Sequence, residues 1–300
     1  MQVYKDGKPV YTKQTNKEFT LKTQAPIGSA SSWLTAALVM TFVKEGKISL
    51  DDPIAKYIPI FEAYSKRYIT IRNCLAHTTG IKADAPTAKG MTKSRFSSLE
   101  EEVISYAKRE IEKNPGQMVF FSEVGPNIAG RICEVVGKKA FDRLMQERIL
   151  RPLKMRGTNF YIDYSQAMNP FGGAVSTAID LGNFLTMMLN QGRFETKEVL
   201  TPELIAEMQK IQTGNAPVKY MPKLAQGLDF GFGLWVLEKD SKGKATAVAS
   251  PGIFGAWPMI DYCRGYAAFL LPKSMLGEQR SELYISIREA VNGQFQCKSE

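Results

Sequence analysis

Two hydrophobic periods divide the chain into strand-forming ends and a helical middle. Near the N-terminus, β-favouring residues 3–5 and 10–12 flank Asp6-Gly7, a turn dipeptide that tolerates positive φ, and this spacing predicts a β-hairpin. After Gly227 the pattern again favours strands separated by turns. The strands predicted there cover residues 232–237, 245–249 and 266–271, with a turn at 240–243.

The middle of the chain carries apolar residues at helical spacing. Leu34, Leu38 and Phe42 recur every four residues and predict a helix with one buried face, which ends at Gly46, where a C-cap favours glycine. Ser176 and Thr201 are N-cap candidates for two later helices. Further helices are predicted at residues 99–114, 127–136, 141–151, 177–190, 202–212 and 278–291.

Strands at both ends with helices between them predict an α+β fold. We expect an antiparallel sheet made from both termini and covered by the last helix. Residues 1–30 and 225–300 are predicted to form this discontinuous sheet domain, and residues 31–224 an inserted, mostly helical domain. Because pockets favour domain interfaces, the functional cleft is expected between the two.

Composition and charge indicate the class of protein and its partners. Hydrophobic residues make up 44% of the 300 residues and charged residues 23%, which is typical of a globular protein. The net charge is +9, but the lysines are spread along the chain and no nucleic-acid motif accompanies them. The charge therefore predicts weak, salt-sensitive attraction to anionic surfaces and no specific nucleic-acid partner.

Histidine and cysteine content restricts the chemistry further. His77 is the one histidine of the chain, so a multi-histidine zinc site is excluded, and a Ser-His-Asp triad would have to include it. The four cysteines lack CxxC spacing, and scattered cysteines in a chain of this length predict buried thiols rather than disulfides. We predict neither a metal site nor a cofactor.

The N-terminus and the apolar runs bear on location. The segment MQVYKDGKPVY contains no apolar signal region, so the chain is expected to be cytoplasmic or a mature form. The longest apolar run, residues 33–43, contains two threonines and is too short to span a bilayer. No transmembrane segment is predicted.

The first stretch with candidate chemistry is IGSASS, residues 27–32, at the start of the first predicted helix. Backbone N–H groups and the positive end of the helix dipole lie beside a serine in this place, and both favour an anion. Taken alone, such a serine is more often an N-cap. Its sequence context therefore has to decide between the two interpretations.

Several sequence blocks resemble the serine β-lactamase and penicillin-binding protein superfamily, in its class C and esterase-like branch. IGSASSWLTAALVM, EGKISLDDP and ITIRNCLAHTTGI follow one another as Ser-x-x-Lys, EGKLSLDDP and ITIRxLLxHTSG do in that branch. PGQMVFFSEVGPNIAG, NPFGGAVSTAID and SPGIFGAWPMID extend the likeness over residues 1–272. The resemblance implies the same fold, an acyl-enzyme formed on a serine, no cofactor, and a periplasmic or secreted location.

In this superfamily the first motif supplies a nucleophilic serine and, three residues later, a lysine that takes its proton. Here Ser29 stands at the nucleophile position and Ser32 at the lysine position. A serine hydroxyl is no base near neutral pH, and Lys44 lies about four helical turns further on. The resemblance therefore implies a nucleophile that has lost its base.

The second motif of the superfamily carries a tyrosine that helps to move the proton to the leaving group. Alignment on Pro115-Gly116 and on residues 129–131 places Phe121 at that tyrosine, which keeps the ring and loses the hydroxyl. Glu123 is a candidate substitute acid or base. A surface carboxylate with no catalytic role is the alternative, and both interpretations stay open at this point.

The third motif lies on a strand beside the nucleophile, and here it is Ser250-Pro251-Gly252. Its serine is a candidate to hydrogen-bond a substrate carboxylate or ester. A backbone N–H of Ile253 or Phe254, together with that of Ser29, could complete an oxyanion hole. The resemblance thus implies that this motif is functionally whole.

Two more positions are assigned by the resemblance. Gly173 precedes a helix start, and in the superfamily the backbone there lines the cleft. His77 belongs to the HTTG turn, which is structural in the superfamily and lies away from the nucleophile. We therefore include Gly173 among the substrate-binding residues and leave His77 out.

These motifs leave two functions open. The first is a serine hydrolase, esterase or DD-peptidase-like, which forms an acyl-enzyme on Ser29 and is impaired because Ser32 and Phe121 replace its proton-transfer groups. The second is an inactive pseudoenzyme that binds an acyl or peptide ligand in the same cleft, or serves as an interaction module. The superfamily covers β-lactams, D-Ala-D-Ala peptides, short-chain esters and amide oligomers, so the substrate stays open.

Overall fold

Both ends of the chain contribute strands to one large sheet. The computed structural model describes residues 1–14, 17–87, 89, 94–160, 166–272 and 281–297. The strands are β1 (Gln2–Lys5), β2 (Lys8–Thr12), β3 (Ala25–Pro26), β4 (Val119–Phe120), β5 (Val175–Ser176), β6 (Arg193–Phe194), β7 (Lys197–Glu198), β8 (Val218–Tyr220), β9 (Asp229–Phe230), β10 (Trp235–Lys239), β11 (Ala245–Ala249), β12 (Trp257–Asp261) and β13 (Tyr266–Leu270). Seven of them form an antiparallel sheet of order β2-β1-β13-β12-β11-β10-β9, which confirms the predicted α+β fold.

Helices occupy the chain between the two halves of the sheet, and one more follows the last strand. They are α1 (Ser31–Lys44), α2 (Ile60–Ala63), α3 (Ile71–Leu75), α4 (Leu99–Ala107), α5 (Val124–Gly137), α6 (Phe141–Met145), α7 (Ala178–Leu189), α8 (Pro202–Gln209) and α9 (Ser281–Asn292). Within the described ranges, no helix is both long enough and apolar enough to cross a membrane.

The N-terminal hairpin is the element that joins the two ends of the chain. Asp6 and Gly7 have φ angles of 50° and 74°, the left-handed conformation that their turn requires. The hairpin therefore forms as predicted, and its first strand β1 pairs with β13, so that Val3 lies opposite Ala268. This pairing joins strands that are more than 250 residues apart in the sequence.

The two faces of the sheet are covered by different helices. On one face, the ring of Tyr284 in α9 stacks on Trp257 with 4.3 Å between ring centroids. On the other, α7 packs against β12 and β13, and Gly182 of α7 lies so close to Tyr4 that a Cβ would come within 2.3 Å of the tyrosine oxygen. The last helix covers the sheet as predicted.

Helix α1 runs through the centre of the molecule. The sequence predicts one apolar face, but all residues from Ser31 to Phe42 are buried, because α1 is packed by α5, α6, α8 and the π-helical turn Gln146–Leu150. The helix ends as predicted, since Gly46 has a φ of 67° and donates its N–H to the carbonyl of Val43. Helix α1 is thus a core helix rather than an amphipathic surface helix.

Several predicted helices end elsewhere because tertiary contacts compete for their backbone. The helix predicted over residues 99–114 stops at Ala107, since the N–H of Glu112 and the carbonyl of Glu110 pair instead with Gly80 and Lys82. The helix predicted over 141–151 is α-helical only to Met145 and continues as the π-helical turn.

The start of α7 corrects the N-cap that the sequence suggested. Thr177, not Ser176, is the cap, and its hydroxyl accepts the N–H of Asp180 at 3.2 Å. The hydroxyl of Ser176 instead forms a hydrogen bond with the hydroxyl of Thr158, with 2.7 Å between the two oxygens. Thr201 does cap α8, as predicted.

Strand β12 was not predicted, because all five of its residues are buried. A strand that is buried on both faces shows no apolar–polar alternation. Among the predicted strands, Ala245–Ala249 has the expected bounds, while the one expected at 232–237 is displaced to Trp235–Lys239. Of the last predicted helix, residues 278–280 lie outside the described residues.

The cysteines contradict the expectation of buried thiols in part. Cys263 and Cys297 form a disulfide with a Cα–Cα distance of 4.8 Å, and Cys74 and Cys133 are free and buried. Spacing could not reveal the pair, because its two members are brought together only when α9 folds back across the sheet. The bond ties the end of α9 to the β12–β13 turn.

Candidate active site

Ser29 lies on a 3₁₀ turn, Gly28–Ala30, that leads directly into α1. Gly28 has a φ of 55°, a conformation that favours glycine, and this places the next residue at the start of the helix. The side chain of Ser29 is 3% exposed, and its hydroxyl donates to the carbonyl oxygen of Pro251 at 3.2 Å. The nucleophile position is therefore buried and its proton is engaged by a neutral acceptor.

Ser32, at the lysine position, is also buried. Its hydroxyl donates to the backbone carbonyl of Ser29 at 2.7 Å, the usual contact of a helical serine with the preceding turn. Ser31 does the same toward Gly28 at 2.6 Å and accepts the N–H of Ala174 at 3.0 Å. Neither hydroxyl accepts the proton of Ser29, whose described hydrogen bond goes to the carbonyl of Pro251.

The third motif lies directly on the Ser29 turn. A Cβ on Gly252 would come within 1.9 Å of the carbonyl oxygen of Ile27, and a Cβ on Gly28 would lie 3.2 Å from the nitrogen of Ile253. Ser250 is buried, and its N–H donates to Pro258 across the loop between β11 and β12. The structure thus brings Ser29 together with the motif Ser250-Pro251-Gly252.

Gly173 belongs to the loop on the other side of the same turn. Strand β5 pairs with β3, and the carbonyl of Ala174 accepts the N–H of Ile27 at 3.0 Å. The backbone of this loop therefore holds the residue that begins the Ser29 turn. Gly173 itself is tightly placed, because a Cβ would lie 2.9 Å from the carbonyl oxygen of Asn169.

Phe121, at the tyrosine position, is buried in a cluster of aromatic side chains. Its ring centroid lies 4.5 Å from His77, 5.1 Å from Phe171, 5.1 Å from Trp235 and 5.8 Å from Phe230. Ile253 and Phe254 of the third-motif loop pack against the same cluster. The residue predicted to stand at the tyrosine position is therefore part of an apolar wall of aromatic rings.

His77 packs against this aromatic wall and supports the backbone of the second motif. It has a φ of 56°, its carbonyl accepts the N–H of Phe120 at 2.9 Å, and its Nδ1 accepts the N–H of Ser122 at 3.3 Å. Burial lowers the pKa of His77 to about 3, so the ring is neutral at physiological pH. Its place is that of a structural support for the second motif.

Glu123 does not contact Ser29, but it is not a surface carboxylate either. It lies at the N-terminus of α5 and lines a cavity of about 280 Å³ together with Asn169 and Phe171. Burial raises the pKa of its carboxyl group. The side chain is therefore placed beside the second motif rather than at the nucleophile.

The same cavity contains residues that the sequence analysis missed. Glu102 of α4 accepts the hydroxyl of Tyr106 at 2.7 Å, and burial, aided by the charge of Glu123, raises the pKa of Glu102 to about 7. Residues 100–102 are three consecutive glutamates, a pattern typical of a solvated helix start, so nothing in the sequence indicated that the third is partly buried.

The part of the chain that the structure describes contains no cluster of side chains suited to bind a metal ion. No group of three or more His, Cys, Asp or Glu side chains is placed to hold an ion there.

Known proteins share the fold of this chain over nearly its whole length. The β-lactamase family model matches residues 1–292. A candidate β-lactamase from Bacteroides dorei is 29% identical and superposes with a TM-score of 0.84, covering 97% of this chain and 92% of that one. EstCE1, a hydrolase with promiscuous acyltransferase activity, shares the fold with a TM-score of 0.79 at 20% identity, over 97% of this chain and 92% of EstCE1.

Curated relatives match more weakly. Protein flp of Staphylococcus aureus is 26% identical over 141 residues, which are 46% of this chain and 28% of flp. Protein MT1414 of Mycobacterium tuberculosis, which is uncharacterized, is 23% identical over 295 residues, covering 78% of this chain and 73% of that protein. The match over residues 1–292, on the fold described above, shows that the chain belongs to the β-lactamase family, within the serine β-lactamase and penicillin-binding protein superfamily.

Proposed function

We propose that this chain binds an acyl or peptide ligand in the cleft beside Ser29 and has lost most of the acyl-transfer activity of its family. The observation that carries the proposal is the hydrogen bond from Ser29 to the carbonyl of Pro251, with Ser32 turned to the backbone of Ser29. A carbonyl oxygen cannot take the serine proton to make an alkoxide.

Acyl transfer requires three acts, and the chain retains the means for one. The serine must lose its proton as it attacks, the carbonyl oxygen must be stabilised as an oxyanion, and the leaving group must be protonated. Ser32 and Phe121 supply no group for the first or third act. Each general acid–base group is worth about 10²–10⁴-fold in rate, so both losses together remove most of the turnover.

The cleft retains features of a binding site. Ser29 stands at the N-terminal end of α1, and the N–H of Ile253, in the adjoining loop, donates to no backbone acceptor among the described residues. Together they support a site that polarises a carbonyl oxygen. We expect a small-molecule or peptide acyl ligand, and β-lactam, peptide, ester and amide are all compatible with such a site.

A second candidate is a weak hydrolase that uses Glu123 as its base. The observation that favours it is the raised pKa of a partly buried carboxylate two residues after the tyrosine position. In that case Glu123 would take the Ser29 proton as the serine oxygen bonds to the acyl carbon, and would return it to the leaving group as the bond between that group and the acyl carbon breaks. Water would then release the acyl group from Ser29 in the same way. Glu123 contributes to a cavity rather than to a hydrogen bond with Ser29, so we rank this function second.

Intact-mass spectrometry after exposure to p-nitrophenyl acetate and to a penicillin separates the two functions. We expect no adduct on the peptide that contains Ser29 after hours of incubation. Thermal-shift titration with the amide analogue of p-nitrophenyl acetate, which does not acylate the protein, should show binding. Ser29→Ala is the matched control, because activated esters also acylate surface lysines. An adduct on Ser29 that forms and turns over within minutes would overturn the proposal and favour the hydrolase.

The disulfide bears on location. Stable disulfides are typical of oxidising compartments, and the Cys263–Cys297 pair is therefore more easily reconciled with a periplasmic or secreted protein than with a cytoplasmic one. We propose the former location. The basic net charge of +9 supports weak attraction to an anionic cell envelope there.

A further inference from the structure

A cavity of about 280 Å³ adjoins the aromatic wall of the cleft. Phe171 lines it and also contacts the ring of Phe121, with 5.1 Å between centroids, so the cavity lies against the aromatic wall around Phe121. Five charged side chains line it: Asp84, Arg95, Glu102, Arg109 and Glu123. A volume near the lower end of common ligand pockets suits a small ligand or one end of a larger one.

Glu123 is a carboxylate of this cavity to which no other described residue is bonded. Among the described residues, no other residue donates a hydrogen bond to its carboxylate and none pairs with it within 4 Å. Burial raises the pKa of its carboxyl group, and the nearby negative charge of Asp84 acts in the same direction, while Arg109 and Arg95 oppose it. The described donor to this carboxylate is the backbone N–H of Glu123 itself, so a partly desolvated charge is left that gains free energy from a cation that enters.

The two arginines of the cavity are engaged elsewhere. Arg109 donates to the carbonyl of Lys82 at 3.3 Å, and its guanidinium lies 4.6 Å from the ring centroid of Tyr106. The guanidinium of Arg95 lies 5.1 Å from the ring of Phe96. Within the described part of the chain, neither forms an ion pair within 4 Å with a carboxylate of the cavity.

The charge balance then selects the sign of the ligand. Three carboxylates and two guanidinium groups line the cavity, so its formal charge is negative when all five are ionised. Glu102, whose free carboxylate oxygen Oε2 is buried without a partner among the described residues, adds to the cost of that charge. An ammonium group would balance the charge, whereas an anion would face three carboxylates.

We propose that this cavity binds the ammonium group of a small amine through Glu123, and that the amine is one end of the ligand that occupies the cleft. The inference rests on the proposed function, because it names the chemistry of the ligand of the same site. Glu102 and Asp84 lie on other sides of the ammonium group. Arg95 and Arg109 offset part of the negative charge of the three carboxylates. The ligand class is therefore an amine-bearing acyl compound or peptide.

Three probes with one carbon skeleton test the sign of the ligand. Butylamine, butan-1-ol and butyrate are titrated into the ¹⁵N-labelled protein at pH 8, above the pKa of about 7 of Glu102, and shifts of backbone amides near Glu123 are followed. We expect butylamine to bind at least about tenfold more tightly than the alcohol, the low end for a charge-assisted hydrogen bond, and butyrate to bind most weakly. Equal affinities, or tighter binding of butyrate, would overturn the proposal.

Two variants locate the site. Glu123→Gln keeps the shape and removes the charge, and we expect it to abolish the preference for butylamine over butan-1-ol. Glu147→Gln is the matched control, since Glu147 is an exposed partner of Lys139 and does not line the cavity, and it should leave the preference unchanged. A preference that survives Glu123→Gln would place the amine elsewhere and overturn the proposal.

A pH titration of the unaltered chain keeps the proposal testable if Glu123→Gln does not fold. Butylamine stays charged below pH 9, because its pKa resembles that of a lysine, at about 10.4. The groups that face Glu123 are Asp84, Arg95, Glu102 and Arg109. As the pH falls from 8 through the pKa of Glu102 at about 7, Glu102 takes up a proton and the cavity loses negative charge, so amine affinity should fall; a pH-independent affinity would overturn the proposal.

Failure of this inference and failure of the proposed function are distinguishable. The probes carry no acyl group, so their binding is measured whether or not Ser29 reacts. Rapid turnover at Ser29 with a retained preference for butylamine would overturn the proposed function and leave the ammonium site standing. Absence of a Ser29 adduct with no amine preference would do the reverse.

Discussion

The two sides of the cleft are held together by different kinds of contact. On the Ser29 side, the 3₁₀ turn and the loop Ser250-Pro251-Gly252 meet through backbone atoms, with Gly252 against the carbonyl of Ile27. On the Phe121 side, contacts run through side chains, and aromatic rings fill the space around the tyrosine position. The scaffold for binding a carbonyl group is thus separable from the side chains that move protons.

This difference has a physical reason. Backbone contacts at glycine depend on the absence of a side chain, so one substitution there disturbs the fold itself. Proton transfer depends on single functional groups, and the loss that we propose leaves the packing intact, because Phe121 fills the volume of a tyrosine and the hydroxyl of Ser32 bonds to the backbone of Ser29. Chemistry can therefore be lost while the architecture persists.

The largest effect is expected from breaking the backbone side. Gly252→Ala would place a Cβ 1.9 Å from a carbonyl oxygen, so the loop and the Ser29 turn must separate. We expect the free energy of unfolding to fall by about 3 kcal/mol, measured by urea denaturation. Gly293→Ala is the control, because its nearest contact is 3.6 Å away, and an equal loss in both variants would contradict the argument.

The second prediction restores the side-chain side. Ser32→Lys returns an amine one helical turn from Ser29, and burial should lower the pKa of that amine toward a useful range. Phe121→Tyr returns the phenol. We expect the double substitution to raise p-nitrophenyl ester turnover at least about a hundredfold, the low end for one general base.

The single substitutions sharpen this result. Ser32→Lys alone should recover much of the acylation step, and Phe121→Tyr alone little, because a phenol needs a base with which to exchange protons. Adding Ser29→Ala should abolish the gain. A well-folded double variant with unchanged turnover would show that the cleft has diverged beyond these two positions.

The smallest effect concerns the support of the aromatic wall. The pKa of His77 is lowered to about 3 in the fold and is about 6.5 in an unfolded chain, so between these values the unfolded state binds more protons. Stability should therefore fall as the pH drops from 6.5 toward 4, by at most about 1.4 kcal/mol per pH unit for this group.

His77→Gln removes this dependence and provides the measurement. Urea unfolding at pH 6.5, 5.5 and 4.5 should show a shallower pH slope for the variant than for the unaltered chain, whatever its overall stability. Parallel slopes would mean that the histidine takes up a proton within the fold, and that the second motif is more accessible to water than its burial indicates.

Much of the fold was predictable because it rests on local signals. The Asp6-Gly7 turn, the C-cap at Gly46 and the N-cap at Thr201 each depend on the conformational preferences of one or two residues. Strand β12 and the end of α4 were not predictable in the same way, since the first is buried on both faces and the second is ended by pairing with residues 80–82. The division into domains at residues 30 and 225 stays a prediction.

For the candidate site, the residue types alone indicated the nucleophile position and the two replaced proton-transfer positions. Ser29, Ser32 and Phe121 are the residues on which the proposed nucleophile and the proposed loss of its proton carriers rest, and these assignments stay predictions. Only the tertiary structure decided where Glu123 and Glu102 lie, that His77 is enclosed by aromatic rings, and that Cys263 meets Cys297. Burial, pKa and pairing are set by neighbours that are distant in sequence, and these arise only when the chain is packed.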